Sequence, residues 1–198
     1  MANVDGAYGL ALHKDISKSE LELCIIASGN GTATFVGDPV KTAGSAARIV
    51  GCPYAKTVAQ CAATNPIYGV VMGFLPHMVS TGMDLGKRHR PASTAMYCLV
   101  KPANHLDEYR IQCDDDSATL AADDIGLNAD FIVGSGNATT GMSAVELDTS
   151  TKNTTATLSL KIINVVDRPD NLLGSAQQDV IVRLNNIELS GSTGTVGL

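Results

Sequence analysis

The stretch that indicates the fold most clearly is Leu158-Ser159-Leu160-Lys161-Ile162-Ile163-Asn164-Val165. Leu158, Leu160 and Ile162 alternate with polar residues, as expected for a strand that buries one face. Ile163 and Val165 continue the apolar pattern with the opposite parity. A change of parity inside a strand predicts a β-bulge, or a strand that passes to another sheet at a corner.

A second long strand signal follows a connection rich in turn residues at 167–171. Val180, Val182 and Leu184 share one face, whereas Ile187 and Leu189 have the opposite parity. The same alternatives of a bulge or a corner therefore apply to this segment.

The rest of the chain shows the same pattern of short apolar runs separated by Gly, Pro, Asn and Asp. Strands are predicted at 21–25, 33–36, 67–74, 95–100 and 109–113. The run at 67–74 is almost unbroken, as in a strand buried on both faces. The one predicted helix is short, at 117–125, with Ser117 as its N-cap and Gly126 as its end. We therefore predict an all-β protein, either a single β-sandwich or a β-tulip-like or jelly-roll-like barrel.

Several segments lack a clear period and are rich in Gly, Ser, Thr and Asn. We predict an extended N-terminal arm at 1–20, a β-rich core domain at 21–190 and a flexible tail at 191–198. Long loops are predicted inside the core domain at 75–94 and 134–157. Such segments are either disordered or become ordered against a partner. No internal repeat is visible.

Composition and charge exclude several classes of function. The net charge is −6 and the pI about 5, so binding to nucleic-acid backbones, which needs excess Lys and Arg, is not expected. No apolar run reaches the roughly 18 residues needed to span a bilayer, so no membrane partner is expected. The first residues resemble no signal peptide, and we expect the chain to be made and kept in a cytosol.

No catalytic, cofactor-binding or metal-binding motif stands out, and no enzyme activity or cofactor is predicted. The five Cys are odd in number and contain no CxxC, which favours reduced thiols acting as small hydrophobes over disulfides or a metal site. Asp114, Asp115 and Asp116 with Asp123 and Asp124 lack EF-hand spacing, so a solvated acidic turn is favoured over a cation site. The His residues form no zinc motif.

The basic stretch Lys87-Arg88-His89-Arg90 is the best sequence candidate for a binding surface. Four residues do not make a nucleic-acid footprint in an acidic protein. The alternatives are a solvated loop and a contact with an acidic surface of another protein. We predict the protein contact at these four residues.

Two sets of residues are predicted from packing alone. Gly37, Gly69 and Gly73 are expected where a side chain would clash or where φ is positive. The core is expected to include Ile67, Val71, Leu99, Ile111, Leu160, Ile162, Val182 and Leu184.

The order of several motifs resembles a family of tailed-bacteriophage virion proteins that decorate or cement the capsid. The resemblance rests on Phe35-Val36-Gly37-Asp38-Pro39-Val40, Ile67-Tyr68-Gly69-Val70-Val71-Met72-Gly73-Phe74, Arg90-Pro91-Ala92-Ser93-Thr94-Ala95, Tyr97-Cys98-Leu99-Val100, Asp124-Ile125-Gly126-Leu127-Asn128-Ala129-Asp130, Thr140-Gly141-Met142-Ser143, Val166-Asp167-Arg168-Pro169-Asp170-Asn171 and Val182-Arg183-Leu184-Asn185-Asn186. These runs cover most of residues 35–188 in order, whereas the first 20 residues match less clearly.

The resemblance implies an all-β, often trimeric protein on the outer surface of the phage head. Its partners would be the major capsid protein and other copies of itself, and no catalytic residues would be carried over. The alternatives are another virion component, such as a tail, fibre or head–tail joining protein, and a small β-barrel ligand-binding protein or enzyme.

Overall fold

The structure is a computed structural model that describes residues 3–79, 82–84, 86–116 and 118–190. Over these residues the fold is all-β, as predicted, and it contains two short 3-10 turns and no α-helix. The strands are β1 (Ala11–Lys14), β2 (Glu22–Ile26), β3 (Pro39–Ala47), β4 (Ala55–Gln60), β5 (Gly69–Phe74), β6 (His77–Val79), β7 (Gly82–Asp84), β8 (Met96–Pro102), β9 (Glu108–Gln112), β10 (Asn128–Val133), β11 (Val145–Asn153), β12 (Leu160–Val165) and β13 (Asp179–Leu184).

The N-terminal half forms a closed barrel with the strand order β2-β4-β3-β5-β8. β2 and β4 are parallel, and the other neighbouring strands are antiparallel. The barrel interior is filled by small and branched side chains, chiefly Cys24, Ile26, Val40, Val58, Tyr68, Val71, Cys98 and Val100. Closure leaves this sheet with no exposed edge along its paired length.

The strands of the C-terminal half, together with the N-terminal strand β1, form a sheet with the order β1-β9-β13-β12-β10-β11, in which all neighbours are antiparallel. The sheet curls so that β11, at one end, comes back to β9, because Cys113, directly after β9, makes a parallel bridge to Leu147 of β11. The sheet curls around the largest hydrophobic cluster, which includes Tyr109, Phe131 and Leu160.

β5 is the element on which the two sheets meet. Val71 points into the barrel interior, whereas Val70 belongs to the cluster of the six-stranded sheet. Ile67, just before β5, makes a parallel bridge to Ile187, and both are buried. The apolar run at 67–74 is thus buried on two sides over Val70 and Val71, as its composition predicted.

Both predicted parity changes have a structural cause. The register between β12 and β13 shifts between Ile162 and Asn164, which is a bulge. The second change falls where β13 has already ended at Leu184. Ile187 then leaves the sheet and bridges to Ile67 at the barrel, which is a corner.

The predicted helix at 117–125 is wrong. The described part of this segment contains only a 3-10 turn at Ala122–Asp124, and Ser117 lies outside the described residues. Leu120 is buried in the core, but no second apolar residue one turn away continues a helical face. The Asp124 carboxylate instead accepts a hydrogen bond from the Ala121 amide and pairs with Lys152.

The segment 1–20, predicted as an arm, is extended but packs on its own chain over residues 3–20. β1 pairs with β9, and Leu10 is buried in the largest cluster. Asp107, which is fully buried, accepts hydrogen bonds from the amides of Ile16 and Ser17. Residues 3–20 are therefore held against the core of their own chain.

The predicted loops contain regular structure. The segment 134–157 includes the nine-residue strand β11. Val145, Leu147 and Thr149 of this strand point inward in alternation with Glu146 and Asp148. The segment 75–94 includes the β6–β7 hairpin. The predicted tail at 191–198 lies outside the described residues.

The predicted core is confirmed except for Leu99, which is half-buried. Cys98 and Val100 fill the barrel interior, so Leu99 faces outward between them. Gly37 has a φ of 94° and Gly69 lies against the Lys101 carbonyl, as predicted. The prediction for Gly73 is wrong, because a Cβ there would meet open space.

Candidate partner-binding surface

Arg90, predicted as a contact residue, has its guanidinium fully buried. The guanidinium donates hydrogen bonds of 2.5–2.8 Å to the carbonyl oxygens of Ala27, Asn30, Thr32 and Thr94. The side chain thus ties together two loops at one end of the barrel. Four of its five N–H donors are used in this way, and the side chain is buried and presents no surface to a partner, so the prediction is corrected for this residue.

Lys87, Arg88 and His89 lead into Arg90 along the surface. Lys87 and Arg88 are exposed, and His89 is half-buried. The His89 ring stacks on Phe35, with ring centroids 4.9 Å apart and an interplanar angle of 9°. Burial, followed by the nearby charge of Lys87, lowers the pKa of His89 below its ordinary value. Both effects favour the neutral imidazole, and the exposed positive charge of this stretch comes from Lys87 and Arg88.

The loop between β10 and β11 crosses to the barrel at the same place. The Val36 amide donates to the Gly141 carbonyl at 3.0 Å, and the Ser143 amide donates to the Val36 carbonyl at 2.9 Å. Gly141 has a φ of 80°, and a Cβ at this position would lie 2.5 Å from the Arg88 carbonyl oxygen. Glycine is thus needed for the two loops to touch.

The same loop is held internally by Asn137. Its side-chain oxygen accepts hydrogen bonds from the amides of Thr139 and Thr140. The backbone amide of Asn137 donates to the Met142 carbonyl, and the backbone carbonyl of Asn137 accepts from the Gly141 amide. These are the bonds of an Asx turn closed by backbone pairing. A segment predicted from composition as loose is therefore specifically bonded.

We call residues 32–35, 87–89 and 132–140 the seam surface, because they join the barrel to the six-stranded sheet. A cavity of about 330 Å³ opens between its loops, lined by Thr32, Ala33, Phe35, Gln60, Val133, Gly134, Ser135 and Gly136. Ile132 and Val133 beside it are 42% and 36% exposed. The surface combines two cations, exposed aliphatic groups and small polar residues.

This arrangement suits contact with a macromolecule better than chemistry. Apolar area and close-fitting small residues provide complementarity, and the cations select an acidic partner. The described side chains of the seam surface include no carboxylate, and His89 is turned onto Phe35. The sequence pattern indicated Lys87, Arg88 and His89 as a binding surface. It gave no functional signal for 132–140, most of which was predicted only as part of a long loop.

The acidic residues form a cluster that is more buried than a solvated turn. One carboxylate oxygen each from Asp114, Asp116 and Asp148 lie within 4.8 Å of one another. Asp114 is buried, and its Oδ1 accepts from the Thr149 amide and hydroxyl. Burial raises the pKa of Asp114. Such clusters are common without a cation, and we assign no metal function to this one.

The cysteines behave as small hydrophobes. Cys24 and Cys98 are buried cross-strand neighbours in the barrel, and all five thiols are free. Burial raises the pKa of Cys24 to about 11 and that of Cys98 and Cys61 to about 12. A protonated, buried thiol is a poor nucleophile, so these residues contribute packing.

No family model, curated protein or solved structure matches this chain. Among the described residues, neither helical turn is long or apolar enough to cross a bilayer. The geometry of the surface thus carries the functional argument.

Proposed function

We propose that the protein is a virion structural protein that decorates or cements a phage head by binding the assembled lattice of the major capsid protein. The observation that carries the proposal is the seam surface. It is a broad, internally bonded face that combines exposed Lys87 and Arg88 with exposed Ile132 and Val133. The ordered motifs that resemble the decoration family supply the identity of the partner.

The hydrogen bonds within this surface favour tight binding to a fixed lattice. Arg90 and Asn137 hold the two main loops in place before any partner arrives. Ordering a loop costs free energy on association, so a loop that is already ordered leaves more of the contact energy as affinity. A protein that binds only the assembled shell stabilises that shell by mass action.

The test is a binding and stability assay on phage heads that lack the protein. Purified full-length protein is added back, and the temperature of DNA release is measured. We expect a higher release temperature and a bound amount in fixed ratio to the capsid subunit. Lys87→Glu/Arg88→Glu should weaken binding roughly tenfold or more, because two cations that attract an acidic surface are replaced by two carboxylates that repel it.

The matched control is Lys14→Glu/Lys18→Glu, which changes net charge equally at two exposed positions outside the seam surface. The control should bind like the parent chain. Equal loss for both double variants would mean that only net charge matters, and no loss for either would remove 87–89 from the interface. An unchanged release temperature with saturated binding would argue against cementing but not against decoration.

The closest alternative is another virion component, such as a tail, fibre or head–tail joining protein. Copy number separates these roles, because a cement scales with the number of capsid subunits and a tail part does not. A small ligand-binding protein or enzyme would need convergent polar groups in its cavity. The seam cavity is lined mainly by small, uncharged residues.

The proposal includes a homotrimer on the outer surface of the capsid, produced in the cytoplasm of the host. Sedimentation equilibrium of the full chain tests the oligomer: a mass three times 20.5 kDa supports it, and a monomer at micromolar concentration contradicts it.

A further inference from the structure

We infer that the protein is a tandem duplication of one five-stranded unit. The first unit consists of β2, β3, β4, β5 and β8, and the second consists of β9, β10, β11, β12 and β13. The inference rests on strand connectivity, ladder register, bulge position and turn geometry. It does not depend on the proposed function.

The two units connect their strands in the same way. In each, the first strand is antiparallel to the fifth, the fifth to the fourth, the fourth to the second, and the second to the third. The ring is closed in each by a parallel contact between the first and third strands. This contact is the β2–β4 pair in the first unit and the bridge of Cys113 to Leu147 in the second.

A bulge occurs at the same place in the fourth strand of both units. In the first, Val71 pairs with Val100, and Gly73 pairs with Leu99, so one residue is skipped. In the second, the same skip occurs between the pair of Ile162 with Val182 and the pair of Asn164 with Ile181. Bulges are specific structural features, so coincidence of position is informative. The bulges align Val71 with Ile162.

The same alignment accounts for the other ladders without adjustment. It makes Gly69 equivalent to Leu160. Gly69 pairs with Val40 of the second strand in its unit, and Leu160 pairs with Ala129 of the second strand in the other unit. It places Cys98 on Val180. In the first strands, Cys98 pairs with Cys24, and Val180 pairs with Ile111.

The turn that precedes the second strand is also repeated. The Asp38 amide donates to the Phe35 carbonyl, and the Leu127 amide donates to the Asp124 carbonyl. The third residue of each turn is a glycine with positive φ, 94° at Gly37 and 101° at Gly126. This is the residue that a type II turn requires.

Each of these glycines then makes the same link to the fourth strand. The Gly37 amide donates to the Val71 carbonyl at 2.8 Å, and the Gly126 amide donates to the Ile162 carbonyl at 3.0 Å. In return, the Val71 amide donates to the Asp38 carbonyl, and the Ile162 amide donates to the Leu127 carbonyl.

Two more backbone bonds match at the ends of the hairpin between the fourth and fifth strands. The Leu75 amide donates to the Tyr97 carbonyl at 3.0 Å, as the Val166 amide does to the Asp179 carbonyl. At the other end, the Ala103 amide donates to the Tyr68 carbonyl at 2.8 Å, and the Asn185 amide donates to the Ser159 carbonyl at the same distance.

The repeat is hidden in the sequence because only its buried pattern persists. Among the aligned residues named above, Gly37 and Gly126 are identical, as are Val100 and Val182. The inward positions of the ladders are buried in both units although their side chains differ, as with Cys24 and Ile111. Register and burial, which set a β fold, tolerate this divergence.

The units differ in what connects the shared strands. The connection between the fourth and fifth strands runs over 75–95 in the first unit and over 166–178 in the second. The longer one contains Lys87, Arg88 and His89. The connection between the second and third strands is longer in the second unit, at 134–144 against 48–54. Both long connections contribute to the seam surface, which is therefore built largely from segments that the units do not share.

The test is solution NMR on the isotope-labelled full chain. Cross-strand contacts are expected between Val71 and Val100 and between Ile162 and Val182. After the bulges, the next contacts should join Gly73 to Leu99 and Asn164 to Ile181. The amides of four matched pairs should be protected from exchange roughly 100-fold or more: Gly37 with Gly126, Val71 with Ile162, Leu75 with Val166, and Ala103 with Asn185.

A register in which the two bulges differ by one or more residues would overturn the duplication. So would free exchange of one member in most matched pairs, because the shared hydrogen bonds would then be absent from one unit. Matching contacts and matching protection in both units would support it, whatever the protein binds.

Discussion

The Arg90 guanidinium lies in the interior at the end of the barrel, where four backbone carbonyl oxygens surround it. A buried cation is tolerated only when its hydrogen-bonding capacity is satisfied. Its neighbour Arg88 has the same chemistry on the exposed side of the chain. Two arginines two positions apart thus have opposite roles, one in the fold and the other on the surface.

Replacing Arg90 by Ala should lower the free energy of unfolding by about 3 kcal/mol or more, because carbonyl oxygens that lose their donor remain buried. Arg88→Ala is the control, and it should change stability by no more than about 0.5 kcal/mol. Urea denaturation of the two variants measures both values. Equal losses would contradict the structural role of Arg90.

We expect Glu146 to make the stability of the protein depend on pH. Burial, followed by the charges of Asp5, Asp114 and Asp115, raises its pKa from an ordinary 4.5 to about 7. Because the folded state favours the protonated form, the stabilisation is complete below about pH 4.5 and is lost as pH rises through about 7. This direction is opposite to that of a salt-bridged carboxylate.

We therefore expect the melting temperature of the parent chain to fall between pH 5 and pH 8 by more than that of Glu146→Gln, whose side chain never ionises. The variant should exceed the parent in stability at pH 8. Differential scanning fluorimetry across this range measures the comparison. Parallel curves for the two proteins would show that another group controls the pH dependence.

At the scale of elements, β5 connects the barrel interior to the hydrophobic cluster of the six-stranded sheet. It pairs with β3 and β8, and it contributes side chains to two clusters. Gly69 at its start lies against the Lys101 carbonyl and the Val100 side chain, whereas Gly73 near its end has open space around it. The two glycines of one strand therefore have different physical reasons to be there.

Gly69→Ala should destabilise the protein by roughly 1–3 kcal/mol, because a methyl group would press on the backbone of β8. Gly73→Ala is its matched control on the same strand, and it should be neutral or slightly stabilising, since Ala has less backbone entropy to lose. Chemical denaturation of both variants tests this. A larger loss at Gly73 would contradict the described packing.

The strands that could be predicted were those with clear alternation or long apolar runs, such as β5, β9 and β12. β4 and β10 were missed because Ala, Thr, Asn and Asp weaken their patterns. β11 alternates regularly at Val145, Leu147 and Thr149, but its polar composition suggested a loop. Burial within the curled sheet, which is non-local, is what makes these segments strands.

At the scale of the molecule, the barrel and the six-stranded sheet share one hydrophobic cluster. Ile67 and Val70 from the barrel side lie in it with Leu160 and Val182 from the sheet. The Ile67–Ile187 bridge adds backbone pairing across the junction. Neither half buries these side chains alone.

The full chain should therefore unfold in a single cooperative transition. In scanning calorimetry, the calorimetric and van't Hoff enthalpies should agree. Ile67→Ala should reduce stability by about 2–5 kcal/mol without separating the transition into two. Two resolved transitions in the parent chain would show that the halves are energetically independent.

The sequence alone determined that the protein is all-β, which segments have strand periodicity, where parity changes, and that a basic stretch occurs at 87–90. These are local properties, because alternation and turn residues act over a few positions. Only the tertiary structure decided which strands pair, that the barrel closes, that Arg90 is interior and that the loop at 134–144 meets Phe35 and Arg88. Those features depend on contacts between residues far apart in the chain, and side chains of similar size and polarity satisfy them equally well. For that reason, two units with matching registers can share almost no identical residues.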